Sequence, residues 1–165
     1  MDEADVLKKI RELDKALPHF PDGRINYHNT SFAPVVNIFL KYRGDILIVK
    51  RSRKVGNYKG KWNSISGYLD RPEPIEPKAL GEVEEETGIT KDRVKRVIRG
   101  EPYNLFDNEI KKVWLVCPFI VELNIKPDIK LDSESTEYRW IEPAELKEFD
   151  TVYGLERSYA ACIKI

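Results

Sequence analysis

The sequence predicts an α/β domain in which short apolar strands interleave with amphipathic helices. Three observations carry this. Phe32–Leu40 sets Val36, Ile38 and Leu40 on a period of two, as a strand does. Residues 2–17 set Val6, Ile10, Leu13 and Leu17 on the 3.6-residue period of a helix, with charges elsewhere. Pro77–Thr87 carries the start and stop chemistry of a second helix, with Pro77 suited to the first helical position and Gly88 just past the end. The length of 165 residues fits one domain, 1–165. Its 41% hydrophobic content is near the low edge for globular proteins and argues against disorder.

Taken in order, Pro18 and Pro21-Asp22-Gly23 stop the first helix. The strand over Phe32–Leu40 meets a hairpin turn at Arg43-Gly44-Asp45, and Ile46-Leu47-Ile48-Val49 is apolar enough for a buried strand. Residues 51–62 read as a basic loop with Gly56 and Gly60. After the second helix, Val94–Arg99 is a strand. Val113–Leu123 is another, and Pro118 within it predicts an edge position or a bulge. Glu137–Ile141 is a short strand. Pro143 opens a helix through Phe149, and the tail from Val152 to Cys162 is a last helix within 150–165.

Lys plus Arg and Asp plus Glu number 28 each, so the formal net charge is zero. Bulk attraction to nucleic acid or to anionic membrane is thereby excluded, and a nucleic-acid partner is disfavoured. Cys117 and Cys162 are too few for a disulfide framework and lie in apolar runs, so buried free thiols are expected. His19 and His28 show no metal-binding spacing. The acidic start Met1-Asp2-Glu3-Ala4-Asp5 is unlike a signal peptide, and no apolar run reaches a membrane span. These features lead us to expect a cytoplasmic protein without a membrane partner.

Charge is segregated locally. Lys41 to Lys61 holds eight bases and one acid, whereas Asp70 to Glu86 holds seven acids and two bases. Within the acidic run, Glu82, Glu85 and Glu86 stand at i, i+3 and i+4, one helix face. Two carboxylates ~4 Å apart repel by about 4 kcal/mol at an effective dielectric near 20. A solvent face gains nothing from such clustering. A hard divalent cation, Mg²⁺ or Mn²⁺, removes the repulsion.

Residues Gly67 to Ile89 resemble the Nudix box. The pattern is Gly, five residues, Glu, seven residues, Arg-Glu, an aliphatic residue, any residue, Glu-Glu, any residue, Gly and an aliphatic residue. Gly67, Glu73, Glu82, Val83, Glu85, Glu86, Gly88 and Ile89 stand at their places, and only the Arg position departs, as Gly81. Leu47–Ser52, Gly60-Lys61-Trp62 through Gly67, and Tyr138–Leu146 are similar to the family's flanking segments. The chain is thus identified as a member of the Nudix hydrolase (MutT-like) family over a core of about 33–149, with 1–31 as an N-terminal helical extension.

The resemblance implies an α/β/α sandwich around a mixed sheet, and a metal-dependent pyrophosphohydrolase cleaving a diphosphate linkage in a nucleoside diphosphate derivative. ADP-ribose-like compounds, nucleoside triphosphates and dinucleoside polyphosphates all fit, and no residue decides among them. It implies a metal set of Gly67 through its carbonyl with Glu82, Glu85 and Glu86. Glu82 or Glu85 would activate water, while Glu73 and Gly88 would support the box. A further acid from a later loop is expected from Glu134 or Glu137. Arg51 and Arg53 are placed to contact phosphate, and Lys59 and Lys61 are further cations of that loop. Trp62, Tyr68 and Tyr103 are candidates to stack on a base, with packing the commoner job. Relatives often pair, so a homodimer is within expectation. In the family the box Arg holds a Glu in place. Its replacement by Gly81 leaves two alternatives open: a variant enzyme in which Lys78 or a distant Arg fills the gap, or a weak or inactive nucleotide-binding domain. A third reading takes the segregated charge as a docking surface only.

Overall fold

The computed structural model describes residues 1–163. Helix α1 (Glu3–Ala16) leads to β1 (Phe32–Tyr42), β2 (Asp45–Arg51), β3 (Trp62–Asn63) and β4 (Ile65–Tyr68). Helix α2 (Ile75–Thr87) follows, then a short 3-10 turn (Lys91–Arg93), β5 (Val94–Arg99), β6 (Tyr103–Asp107) and β7 (Lys112–Leu123). The chain ends in β8 (Ser135–Ile141), a 3-10 helix (Pro143–Glu148) and α3 (Leu155–Ile163). The last two positions of the expected C-terminal helix lie outside the described residues.

The strands form one mixed sheet. β1 runs parallel to β7 along its length, and every other pairing is antiparallel. The period of two sorts side chains onto two faces. Val36, Ile38 and Leu40 of β1, with Leu47 and Val49 of β2, join an apolar cluster covered by α1 and α2. Phe39, Ile46, Ile48 and Ile120 join a second cluster covered by α3 and Leu146 of the 3-10 helix. This is the expected α/β/α sandwich. Cys117 and Cys162 are buried free thiols, and burial pushes both up to about 12.

Several elements differ from the sequence reading. α2 begins at Ile75, so Pro77 is its third residue. A proline there removes only an N–H that the helix leaves unpaired anyway. The segment after Pro143 is a 3-10 helix. β3, β4 and β6 had no apolar run to announce them. Pro118 is neither at an edge nor in a bulge: β7 is central, with β1 on one side and β5 then β6 on the other. Its carbonyl accepts from Gly100 N at 2.9 Å, where β5 has ended and β6 has not begun. A strand residue's N and O point the same way, so the missing N–H faces Gly100, and the one reciprocal bond it forgoes falls just past the end of β5, at this change of partner. The hairpin turn does fall at Arg43 and Gly44, with φ of 48° and 91°, the two-residue geometry suited to strand twist.

The N-terminal helix is built into the domain. Val6 and Ile10 are fully buried, each contributing about 1.5–3 kcal/mol by the usual burial scale. Glu3 also reaches the start of α2. The residue before that helix is Pro74, which has no side-chain cap, and Glu3 Oε1 instead accepts from Ile75 N at 3.2 Å. Glu3 Oε2 accepts from Arg99 Nη1 at 2.7 Å, and Arg99 also pairs with Glu76. Glu3→Ala is therefore expected to lower stability by about 1 kcal/mol, read as a shifted urea midpoint at unchanged slope.

Candidate active site

Strand β4 and helix α2 bring the acidic face into contact with the sheet. Pairing of β4 with β1 places Gly67 opposite Val36, on the α2 side, while Ser66 and Tyr68 fall opposite Asn37 and Val35 on the other face. Glu82 lies directly on Gly67: a Cβ there would come 2.4 Å from Glu82 Cδ and 2.7 Å from each carboxylate oxygen. Only glycine lets the carboxylate approach this closely. Helix α2 then ends at Gly88, left-handed with φ of 78°, whose N–H donates to Glu84 O at 2.8 Å.

The three carboxylates of the helix face are not equivalent. Glu82 and Glu86 are buried, and Glu85 is exposed at the outer edge. Glu82 Oε1 accepts from Lys78 Nζ at 2.8 Å. Burial pushes its pKa up; Lys78 opposes this, Glu85 and Glu134 add to it, and the net direction is upward. Glu86 has no cation so close, and its Oε2 is buried without a hydrogen-bond partner among the described residues. Burial first, then the charges of Glu134, Glu82 and Asp132, push Glu86 up to about 10, against the pull of Arg51. An orphaned buried carboxylate oxygen suits a hard divalent cation. The described residues hold no ready-made cage of three acidic, His or Cys side chains. The oxygens of Glu82, Glu85 and Glu86 are nonetheless the donor type that Mg²⁺ and Mn²⁺ take.

Beyond β4, on the sheet's other face, lies a cleft of about 480 Å³. Tyr58, Tyr68 and Trp114 give it aromatic walls, Asn37, Asn63 and Ser66 give polar groups, and Arg51, Lys54 and Glu134 stand at its charged end. The wall is fixed by hydrogen bonds. Tyr58 donates to Asp107 Oδ2 at 2.6 Å and accepts from Trp114 Nε1 at 3.0 Å. Burial and the Asp107 hydrogen bond both push the Tyr58 phenol upward, keeping it a neutral donor. Arg51 is held by its Nε, which donates to Asn57 O at 3.0 Å. Burial pulls the Arg51 pKa down, with Glu134 and Glu86 opposing.

Gly67 joins the two groups: it lines the cleft with Arg51 and Glu134 and carries Glu82 against its helix side, while the charges of Glu134 and Arg51 bear on Glu86 and those of Glu85 and Glu134 on Glu82. The structure separates the others. Arg53 is exposed and packs over Gly60. Glu137 pairs with Arg139 at 3.1 Å, and Arg139 stacks on Trp62 and Phe149. Of the two later acids, it is Glu134 whose charge bears on Glu86. The Glu73 carboxylate has no hydrogen-bond or ion-pair partner among the described residues and borders a small cleft beside Gly81. Trp62 is a packing residue against Phe149, and Tyr103 lies under Arg157; neither lines the main cleft. Sequence reasoning missed Tyr58, Trp114, Asp107, Lys54 and Asp132. Tyr58 and Lys54 sat in the basic loop already singled out. Trp114 stood in the most apolar strand, where a tryptophan reads as core.

An α/β/α sandwich in which an acidic helix meets a basic, aromatic cleft across one strand has the two charge types that a phosphate ester and its counter-cation would need. The Nudix domain family model matches residues 31–162. The chain belongs to the Nudix family, and with that membership it is a hydrolase of pyrophosphate bonds. A relative from Novosphingobium aromaticivorans, an RNA pyrophosphohydrolase, is 27% identical over 137 residues, covering 71% of this chain and 81% of its own. Among solved structures, the MutT protein of Methanosarcina mazei Go1 superposes with a TM-score of 0.64 at 22% identity, covering 79% of this chain and 91% of its own. The Nudix domain of Shewanella oneidensis NrtR, complexed with ADP ribose, reaches 0.65 at 13% identity over 97% of both chains. Both likenesses are of fold.

Proposed function

We infer that the protein is a metal-dependent pyrophosphohydrolase that cleaves the diphosphate linkage of a nucleoside diphosphate derivative. The carrying observation is the orphaned, buried Glu86 oxygen on the helix face whose Glu82 sits on Gly67, a residue that also lines an aromatic cleft with Arg51 and Lys54. The nucleoside occupies the cleft between Tyr58, Tyr68 and Trp114, where ring stacking serves any base. The diphosphate lies at the cleft's charged end, where Arg51, immobilised at Nε, offers its remaining N–H groups to phosphate oxygens.

Glu82, Glu85, Glu86 and the Gly67 carbonyl would hold Mg²⁺ or Mn²⁺. When bound, the cation offsets phosphate charge and acidifies water. In the reaction, a water oxygen bonds to one phosphorus and the bridging P–O bond breaks. The water proton passes to a carboxylate, Glu85 at the exposed edge or Glu82 beneath it. Relatives support the substrate class: one is an RNA pyrophosphohydrolase, one structure holds ADP ribose, and a Caenorhabditis elegans Ap4A hydrolase shares the fold with a TM-score of 0.60. ADP-ribose-like compounds rank first for this chain.

The test is turnover with Mg²⁺ and Mn²⁺ over ADP-ribose, dinucleoside polyphosphates, nucleoside triphosphates, NADH and 5′-triphosphorylated RNA. Products are identified by mass, with solvent ¹⁸O marking the attacked phosphorus. Cleavage of a phosphoanhydride bond with label in the product is expected. Nucleotide binding without turnover under either metal would leave a binding protein instead.

A further inference from the structure

The geometry points to Lys78, braced by Asp70 and by Arg24 of the N-terminal segment, as the positioning residue that fixes the Glu82 carboxylate against Gly67. This rests on the reading of Glu82 as a metal-set carboxylate. A buried carboxylate must be paired to stay charged, and among the described residues the one cation within ion-pair distance of Glu82 is Lys78. The two stand one turn apart on α2, and the Lys78 side chain is itself 19% exposed. A lysine stem is flexible, so one contact would not fix it. A second contact comes from Asp70, whose Oδ1 lies 3.6 Å from Nζ. That Oδ1 is buried and has no hydrogen bond, so Lys78 is what answers its charge.

Asp70 is held from the other side by residues far away in sequence. Its backbone carbonyl accepts from Ile25 N at 2.8 Å, and its Oδ2 faces Arg24 Nη1 at 3.8 Å. Arg24 in turn is oriented by Asp22, which accepts from its Nε at 2.7 Å. The charges therefore alternate along a line: Arg24, Asp70, Lys78, Glu82. Removing Lys78 would leave Glu82 with no cation within ion-pair distance among the described residues and Asp70 with Arg24 alone. Position 81 contributes nothing to this line. A Cβ at Gly81 meets no atom within 4 Å, and the residue opens onto a cleft of about 370 Å³ bordered by Glu73, Lys78, Glu82 and Glu85. A guanidinium carried at position 81 would enter that cleft beside the same carboxylates.

The experiment is Mn²⁺ binding by calorimetry, with kcat and KM alongside, on the full chain and on Lys78→Met, Lys78→Arg, Asp70→Asn and Lys78→Met combined with Gly81→Arg. Outer contacts of metal ligands are worth about 10–100-fold in metal affinity or activity. Lys78→Met is expected to weaken Mn²⁺ about tenfold or more and to lower kcat with little change in KM. Lys78→Arg and the added Gly81→Arg each restore at least half of that loss on a logarithmic scale, which a merely structural role for Lys78 would not predict. Asp70→Asn, expected to cost about threefold or more in Mn²⁺ affinity, carries the test should Lys78→Met fail to fold. Unchanged Mn²⁺ affinity in Lys78→Met, or in Asp70→Asn where that variant decides, overturns the proposal. So does a loss, in folded protein, that neither arginine restores. If the wild-type chain turns over no substrate, the hydrolase reading fails, while the Mn²⁺ affinities still decide the role of Lys78.

Discussion

Glu86→Gln is expected to slow turnover by about 10³-fold while making the metal-free protein more stable than the parent. The loss of rate follows from removing a charged oxygen donor from the acidic face, the order of effect seen when a charge-stabilising group is lost from a water-excluded site. The gain in stability follows from proton linkage. Burial, then Glu134, Glu82 and Asp132, raise Glu86 in the folded protein from an ordinary 4.5 to about 10. A raised carboxyl favours the fold while it is protonated. Its contribution is complete below pH 4.5 and is lost as pH rises toward 10. One pKa unit is worth about 1.4 kcal/mol, so over the 2.5 units from 4.5 to pH 7 the parent has given up on the order of 3–4 kcal/mol that a neutral glutamine keeps. Urea unfolding at pH 5 and pH 8, with chelator and with excess Mg²⁺, reads this directly. In chelator the stabilities should diverge with rising pH. Mg²⁺ should raise the parent and leave Glu86→Gln nearly unmoved. Parallel pH profiles in chelator would show that Glu86 is not a strained buried acid.

Gly67→Ala is the second large effect, and it should separate activity from stability. Its Cβ cannot sit 2.4 Å from Glu82 Cδ, so the carboxylate must swing away. Glu82 is the end of a flexible side chain, which keeps the cost to the fold near 1–2 kcal/mol, as for modest overpacking. The swing, however, breaks the 2.8 Å contact with Lys78 and removes Glu82 from Gly67. A fall in kcat of at least about 100-fold is expected, in a protein that still melts cooperatively within about 10 °C of the parent. Wild-type turnover in Gly67→Ala would mean that Glu82 need not touch the strand.

The acidic helix was legible because its information is local. Spacing of i, i+3 and i+4 fixes a shared face wherever the helix goes, and Gly88 marks its end without tertiary help. What spacing could not give was the inequality within that face: Glu82 is buried against β4 because Gly67 lacks a side chain, Glu86 is buried as well, and Glu85 looks outward. β4 itself, Ile65-Ser66-Gly67-Tyr68, has one aliphatic residue and gains its strand character from β1 alone. Pro118 misled for a related reason. Its meaning depends on which neighbour ends beside it, and that lies in the pairing of β5 and β6. Arg53 and Glu137 were reasonable by charge and position, but each is turned toward Gly60 or Arg139 by contacts that no linear pattern records.

The cap that Glu3 gives to Ile75 ties the time course of folding to the site. Its other oxygen holds Arg99, 96 residues along the chain. Helix α1 must therefore wait for partners far behind it in the chain, nearly a hundred residues later for Arg99, and the loop to be closed is long. The start of the acidic helix is thus among the late contacts to form and the early ones to open. The amide of Ile75 should exchange with solvent in step with undocking of α1. Any event that pries that first helix loose would be felt at the acidic face before the sheet itself gives way.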